Sequence, residues 1–191
     1  MEMLRDYFRE FGEISDANMD FLLGHIVQRK IPKGEVLIRP HQRVNSIYFI
    51  ETGFLHYYSY NDFGERITLK VVSPNYCWTI LDSFVNEIPT PDQCVALSEV
   101  RYCELRRTGY SAIKAQNKEL SNFIQTITEK LLSAKVIEAN RKSSMSIEQR
   151  YLDLLQTHPD MVREVPVQII ASFIGTSRET LHRIRRKLAA A

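Results

Sequence analysis

The side chains with the clearest chemistry are charged and lie close together near the C-terminus: Arg178, Glu179 and Arg183. A guanidinium group can donate two hydrogen bonds to O6 and N7 of guanine, and a carboxylate can accept one from N4 of cytosine. Residues four positions apart share one face of a helix, so Glu179 and Arg183 would point the same way. We therefore expect these three residues to contact base edges in DNA.

Two crossed helices joined by a tight turn would position these side chains. Gly175 suits the turn, since a positive φ costs glycine little, and Ala171 is small enough for a close helix crossing. The second helix starts at a cap formed by Thr176 together with Glu179, or by Ser177. A carboxylate in a capping box cannot also accept from cytosine, so Glu179 has two competing roles. The apolar positions of this pair are Ile170, Ile174, Leu181 and Ile184.

The charge of the chain is concentrated at this end. The overall net charge is only +2, but between Thr176 and Lys187 the single acidic residue, Glu179, is outnumbered by basic ones. A local basic surface suits a polyanionic partner. We expect Thr176, Ser177 and His182 to lie beside the base-reading residues, and Arg185 and Arg186 to contact phosphates. A hairpin of helices packing on protein alone would leave these arginines without partners.

The middle of the chain predicts a different fold. Its 191 residues are enough for a sizeable core, and the composition is that of a globular cytoplasmic protein without a membrane helix or signal peptide. Short runs rich in Val, Ile, Tyr and Thr alternate with turn signals, as in an antiparallel β-barrel or sandwich. These runs are Gly34 to Ile38, Ser46 to Ile50, Phe54 to Tyr60, Ile67 to Val72, Cys94 to Ala96 and Glu99 to Leu105. The first 27 residues are expected to be helical.

A long helix is expected to follow from about Ser111. Its apolar residues recur at heptad spacing, with a second stripe that includes Phe123 and Ile137, so the helix can pack on its own roll and on a partner helix. Two interpretations remain: a dimerisation helix, which we favour, or a core helix of a single chain. The heptad seam consists of Leu120, Ile124, Ile127, Leu131 and Ala134.

The polar stretch from Arg141 to Ser144 suits a hinge, and Ser146 with Gln149 resembles a capping box for the next helix. The fold class is therefore α+β. We expect an N-terminal antiparallel β-roll with N-terminal helices over residues 1–110, a dimerisation helix over 111–142 and a helix-turn-helix domain over 143–191. The short segment from Pro159 to Pro166 leaves room for a minimal β-wing or none.

This order of elements, together with the motif GTSRETLHRIRRKL, resembles the CRP/FNR family of bacterial transcription regulators. The resemblance spans nearly the whole chain and is most specific at SRETLHRI. It implies a cyclic-nucleotide-binding-like jelly roll and a homodimer on a pseudo-palindromic operator. Double-stranded DNA, a second copy and RNA polymerase are the implied partners. His182 departs from the Ser that follows the recognition Glu in many members.

The resemblance weakens where a cyclic nucleotide would bind. The family's Glu for the ribose corresponds to Ile80 and its Arg for the phosphate to Thr90, and neither supplies the required charge. We expect no tight cyclic AMP binding and leave any small-molecule effector unidentified. The residues expected to line the altered pocket are Tyr76, Trp78, Ile80, Asp82 and Thr90. The same residues would be core if the roll were only a scaffold.

Other functions have little support in the sequence. The three cysteines, Cys77, Cys94 and Cys103, lack the spacing of a zinc or iron-sulfur site, and a redox role would need an exposed thiol of lowered pKa. A cupin-like metalloenzyme would need clustered histidines, whereas His41 and His56 stand apart. We therefore expect no enzyme, no metal and no fixed cofactor. The main alternatives are the cupin-like enzyme and a DNA-binding protein that acts without an effector.

Overall fold

The computed structural model describes residues 1–189; the last two residues, and with them the end of the predicted C-terminal domain, lie outside the described part. Two helices open the chain, α1 (Glu2–Arg9) and α2 (Asp16–Gly24). The Ser15 hydroxyl caps α2 by accepting a hydrogen bond from the Asn18 amide at 3.3 Å.

Eight antiparallel strands then form two four-stranded sheets. One sheet has the order β1-β8-β3-β6 and the other β2-β7-β4-β5. This is the predicted antiparallel roll. Its strands are β1 (Ile26–Ile31), β2 (Val36–Ile38), β3 (Ser46–Thr52), β4 (Leu55–Tyr60), β5 (Arg66–Val72), β6 (Tyr76–Trp78), β7 (Gln93–Ala96) and β8 (Val100–Arg106), with helix α3 (Leu81–Asn86) between β6 and β7.

The sequence prediction missed two strands. The helical prediction for the first 27 residues was wrong at its end, because α2 stops at Gly24 and β1 begins at Ile26. The four residues from Val27 to Lys30 are exposed on an edge strand, so they show no alternation of apolar and polar residues. The other missed strand, β6, is only three residues long.

The turn after β3 requires glycine. Gly53 has φ +82, and a Cβ at this position would lie 2.3 Å from the Glu99 carbonyl oxygen. Close approach of the Glu99 backbone therefore excludes any other residue without a shift of the chain. The turn after β2 instead places His41 at φ 63, a conformation that favours glycine.

Two helices follow the roll. The short helix α4 (Arg107–Gln116) precedes the long helix α5 (Lys118–Ser143), and the break between them is at Asn117. The Asn117 side chain caps α5 by accepting from the Leu120 amide at 2.9 Å. The predicted long helix therefore begins later than expected, at Lys118, and continues through the first three residues of the predicted hinge.

Four helices complete the described chain: α6 (Ile147–Thr157), α7 (Pro159–Glu164), α8 (Val167–Ile174) and α9 (Arg178–Ala189). Ser146 and Gln149 form the predicted capping box of α6. The segment considered for a β-wing is occupied by α7. Among residues 1–189, no helix has the length and apolar character needed to cross a membrane.

The C-terminal helices pack on the roll. Phe54 and Val71, both from the roll, belong to the same buried cluster as Ile170, Leu181 and Ile184. At the edge of the second sheet, the Thr68 amide on β5 donates a hydrogen bond to the Ser172 hydroxyl on α8 at 3.0 Å. The described chain is therefore continuous in its packing from the roll to α9.

Candidate nucleic-acid interface and roll interior

The turn between α8 and α9 is closed by backbone hydrogen bonds. The amides of Gly175 and Thr176 donate to the carbonyls of Ser172 and Ala171 at 3.1 and 2.9 Å, which satisfies the last carbonyls of α8. Gly175 has φ +82, and a Cβ there would lie 3.3 Å from Nη1 of Arg150. The positive φ is therefore the reason for glycine here, since the Arg150 side chain would have to shift only slightly to admit a Cβ.

Ser177 caps the start of α9. Its hydroxyl accepts a hydrogen bond from the Thr180 amide at 3.2 Å, which selects Ser177 over Thr176 among the two caps that the sequence suggested. Glu179 is exposed beside this cap. A hydrogen bond from its own backbone amide and one from Ser177 hold the pKa of Glu179 below its ordinary value. The Glu179 carboxylate is therefore ionised and oriented toward the helix start.

One face of α9 is charged and exposed, and the opposite face is buried. Leu181 is completely buried and Ile184 nearly so, against α8 and α6. On the charged face, Nε of Arg178 donates to Nε2 of His182 at 3.3 Å, one helical turn away. The exposed charged or polar residues of this face are Arg178, Glu179, His182, Arg183 and Arg186.

Two basic residues of α9 are engaged within the chain. The guanidinium of Arg185 lies 5.5 Å from the centre of the Tyr151 ring, and its Nε and Nη2 atoms are buried with no hydrogen-bond partner within residues 1–189. The ammonium of Lys187 pairs with both carboxylate oxygens of Glu148, at 3.0 and 2.9 Å. Arg185 is therefore directed inward, unlike Arg183 and Arg186.

Arg150 on α6, a basic residue near this surface, is held by backbone carbonyls. Its Nη1 donates to the Ile174 carbonyl at 3.2 Å and its Nε to the Lys142 carbonyl at 3.1 Å. These bonds fix the end of α8 to the end of α5. Arg150 therefore positions the helical pair rather than extending its exposed basic face.

The interior of the roll is filled with aromatic side chains. Trp78 is 4% exposed, and its ring centre lies 5.3 Å from that of Tyr57 and 6.1 Å from that of Tyr48. Tyr48 in turn contacts the ring of Tyr102 at 5.7 Å. Burial raises the pKa of Tyr48 and of Tyr57 well above the ordinary value, so both stay neutral.

A carboxylate lies at the end of this aromatic cluster. Asp92 accepts hydrogen bonds from the Tyr57 hydroxyl and from the Thr90 hydroxyl, the second at 3.3 Å. The Asp92 amide donates back to the Thr90 hydroxyl at 3.2 Å. Sequence reasoning did not single out Asp92, although it lies only two positions after Thr90. The site thus holds a fixed negative group and no guanidinium.

The roll and the helices that follow it are similar to known proteins. Residues 28–117 match the family model of the cyclic nucleotide-binding domain. No curated protein matches the chain by sequence. Among solved structures, the catabolite activator protein of Thermus thermophilus has a TM-score of 0.55 at 19% identity, covering 94% of this chain and 86% of that one. This chain therefore contains a domain similar to the cyclic nucleotide-binding domain, and it shares its fold with the catabolite activator protein.

Two further solved structures share this fold. The c-di-GMP-responsive regulator CLP of Xanthomonas campestris has a TM-score of 0.65 at 17% identity and covers 92% of each chain. A regulatory protein of Silicibacter pomeroyi has a TM-score of 0.67 at 18% identity, covering 93% of this chain and 82% of that one. The resemblance drawn from the sequence is thereby confirmed at the level of the fold.

The residues predicted to bind an effector do not form one pocket. Trp78 and Thr90 are buried in the roll, and Ile80 packs against the same core. Tyr76 lies under Lys70, whose ammonium is 4.1 Å from its ring centre. Asp82 is exposed and accepts a hydrogen bond from the Asn86 side chain at 2.6 Å. Tyr76 and Ile80 thus pack against the core that holds Trp78, Thr90 is buried as well, and Asp82 lies apart from these four residues.

The predicted heptad seam of α5 is divided between buried and exposed residues. Leu120 and Ile127 are buried within the chain, Ile124 and Leu131 are half-buried, and Ala134 is exposed. The first part of the seam packs on the chain's own roll and N-terminal helices and is not free for a partner. The exposed apolar side chains of α5 are instead Leu132, Val136 and Ile137, at 42%, 60% and 65% exposure.

The histidines considered for metal binding are separated in the structure. His56 is buried, and its Nε2 lies 3.0 Å from the Thr68 hydroxyl, whereas His41 is exposed in a turn. Within residues 1–189 no three His, Cys, Asp or Glu side chains are grouped so that they could hold a metal ion. The geometry therefore gives no observation in favour of the cupin-like alternative.

Proposed function

We propose that this chain is a sequence-specific DNA-binding transcription regulator that acts as a homodimer. The observation that carries the proposal is the exposed face of α9, where Arg178, Glu179, His182 and Arg183 occupy the first two turns. In a helix-turn-helix protein, these are the turns that enter the major groove. We assign α8, the Gly175 turn and α9 to that motif.

Within this proposal, the residues of α9 divide into two groups. Arg178 and Arg183 donate to guanine, and Glu179 accepts from cytosine once its carboxylate turns away from Ser177. Arg186 contacts phosphate, with Thr176 and Ser177 near the backbone at the helix start. Arg185 contributes to DNA binding mainly by packing on Tyr151, since two of its nitrogens are buried there.

The homodimer would form along α5. Leu132, Val136 and Ile137 place an apolar strip on the side of the helix that its own roll leaves uncovered. Burial of such a strip against its copy gives a two-fold arrangement, which matches a pseudo-palindromic operator. RNA polymerase is a further partner under this proposal. The division at 1–110, 111–142 and 143–191 remains a prediction of the sequence.

Control by tightly bound cyclic AMP is not part of the proposal. The Asp92 carboxylate occupies the region near Thr90 where a cyclic phosphate would need a cation, and aromatic rings fill the space beside it. Titration of the purified chain with cyclic AMP in a calorimeter is expected to give no binding at micromolar concentration. A micromolar dissociation constant would contradict this part of the proposal.

Selection of bound sequences from random DNA tests the function itself. We expect an enriched motif of two short inverted half-sites whose centres are about one helical turn apart. The matched control is the double variant Arg178→Ala, Arg183→Ala, which leaves the buried face of α9 unchanged and should enrich no motif. If the unaltered chain enriches no sequence, or binds DNA no better than the double variant, the proposal is wrong.

A further inference from the structure

A cavity lies outside the roll, on the outer face of the β1-β8-β3-β6 sheet. Its floor is formed by Phe49, Cys77 and Cys103, which are direct cross-strand neighbours on β3, β6 and β8. Paired residues of neighbouring strands project to the same face, and the aromatic core of the roll lies on the other. We call this cavity the outer cleft.

The walls of the outer cleft come from helices at both ends of the sequence. The cleft has a volume of about 180 Å³. Most of its walls are apolar side chains, and several of them are buried in the chain's own interior. Representative wall residues are Leu4 from α1, Leu22 from α2, Phe84 from α3, Tyr110 from α4 and Ile127 from α5.

The mouth of the outer cleft lies along α5. Thr128, Leu132 and Lys135 follow one another at helical spacing and all line the opening. Lys135 is exposed, and none of the ion pairs among residues 1–189 involves it. Burial raises the pKa of Cys77 to about 12, and the positive charge of Lys135 opposes this rise. Lys135 and Cys77 line the same cleft, so the ammonium can reach a group bound against the floor.

The size and lining of the outer cleft decide what it can hold. A cavity of roughly 150 Å³ lined by Leu, Ile and Phe excludes water and binds benzene, so an apolar cavity of this volume is a binding site for a ring or a short alkyl chain. A helix of a second copy is roughly 10 Å across and cannot enter it. A second copy can close the mouth at Leu132 but cannot reach Phe49.

We propose that the outer cleft binds a small molecule with an apolar ring or chain and a single anionic group. The apolar part lies against Phe49, Cys77 and Cys103, and the anionic group pairs with Lys135 at the mouth. Carboxylates with a medium-length alkyl chain are the class that fits this combination. The site is separated by the thickness of one sheet from the position of a cyclic nucleotide in the roll.

A ligand in the outer cleft would contact the helix that we assign to the dimer. Ile127, Leu131 and Leu132 line the cleft, and Leu132 also belongs to the exposed apolar strip. Occupancy would therefore alter the packing of α5 on the sheet. This regulatory consequence rests on the proposed function, whereas ligand binding itself does not and is tested without DNA.

The test is a fluorescence titration of the full chain with anilinonaphthalene sulfonate, an aromatic anion, followed by displacement with decanoate or decanol. We expect saturable binding of one probe per chain. Decanoate should displace the probe about tenfold more effectively than decanol, because only decanoate pairs with Lys135. Absence of displacement by decanoate would overturn the proposal.

Matched variants locate the binding. Leu132→Trp places a bulky ring at the mouth and should reduce probe affinity at least about tenfold. Ser133→Trp adds the same ring on an exposed position of α5 outside the cleft and should leave affinity unchanged. Equal affinities of these two variants would overturn the location.

A second pair of variants tests whether the anionic group of the ligand pairs with Lys135. Lys135→Gln should abolish the preference for decanoate over decanol, whereas Lys118→Gln, which removes an exposed lysine at the start of α5, should preserve it. Both substitutions are on the surface, so each variant should fold normally. A thermal unfolding measurement of each variant checks that its stability is unchanged. If Lys135→Gln keeps the preference, the assignment of the anion to Lys135 is wrong.

Discussion

Thr68 and Ser172 are 104 positions apart in the sequence, and the backbone amide of Thr68 donates a hydrogen bond to the Ser172 hydroxyl at 3.0 Å. The bond joins the edge strand of one sheet to the first helix of the α8–α9 pair. Its donor would otherwise be an unpaired amide at a sheet edge covered by protein. The contact is made by α8, so the charged face of α9 stays exposed while the helices are docked on the roll.

The first prediction concerns this bond. Ser172→Ala should lower the free energy of unfolding by roughly 1 kcal/mol, the net contribution of one such hydrogen bond. It should also speed hydrogen exchange at the Thr68 amide. Ser133→Ala, an exposed serine on α5, is the matched control and should change neither. Unchanged exchange at Thr68 in Ser172→Ala would show that the bond is not formed in solution.

The second prediction concerns His56, whose Nε2 lies 3.0 Å from the side-chain hydroxyl of the same Thr68. Burial, with a smaller contribution from Arg66, lowers the pKa of His56 to about 4. Since the unfolded chain takes up this proton near pH 6.5 and the folded chain only near pH 4, the unfolded state binds more protons in between. The contribution of His56 to stability is therefore fully present above pH 6.5 and decreases as the pH falls toward 4.

Two measurements check this pH dependence. An NMR titration should find the imidazole of His56 neutral at pH 5.5. The loss of unfolding free energy between pH 7 and pH 5 should be smaller in His56→Gln than in the unaltered chain, because the titrating group is gone. An imidazole that protonates near pH 6.5 in the folded chain would contradict the prediction.

The third prediction concerns the thiols. Burial raises the pKa of Cys77 to about 12, and burial together with Glu51 does the same for Cys103. Burial also raises the pKa of Cys94 far above its ordinary value. The thiolate is the reactive form, so Cys94 and Cys103, which are both buried, should react with a disulfide reagent at pH 8 more than about a hundredfold slower in the folded chain than in guanidinium chloride. Rapid labelling of one thiol in the folded chain would revive the redox role.

The fourth prediction concerns the association of two chains along α5. Val136 is 60% exposed on the apolar strip, and a glutamate there would place two like charges at the centre of the proposed interface. Val136→Glu should therefore convert a dimer into a monomer, as measured by light scattering, whereas Val136→Leu should remain dimeric. If Ala134→Glu dissociates the dimer and Val136→Glu does not, the interface is the predicted heptad seam instead.

The parts of this fold that could be predicted from the sequence are those marked by local patterns of turn, capping and apolar residues. The α8–α9 pair depends on Gly175, on a cap within two residues of it and on apolar residues at helical spacing, all of which are visible in one short stretch. Most strands of the roll were likewise visible from alternation and turn residues. Strand β1 was not, because four of its six residues are exposed and no periodic signal remains.

Contacts between residues far apart in the sequence could not be predicted from such local patterns. The bond between Thr68 and Ser172, the pairing of Lys187 with Glu148 and the outer cleft each join residues far apart in the sequence. Polar residues such as these look like ordinary surface positions until their partners are known. At the candidate site, the charged residues of α9 were identified from the sequence, but the inward direction of Arg185 depends on Tyr151, which lies on another helix.

The last prediction separates base reading from phosphate contact on α9. Arg183→Ala should weaken binding to the selected site by roughly 1 to 3 kcal/mol and leave binding to random DNA nearly unchanged, because a base contact is lost. Arg186→Ala should weaken binding to both and lower the salt dependence by about one phosphate contact. Arg163→Ala, an exposed arginine on α7 that pairs with Asp160 at 2.7 Å, is the control and should change neither. Equal losses on both DNAs for Arg183→Ala would mean that Arg183 contacts only phosphate and that base reading rests on Arg178 and Glu179.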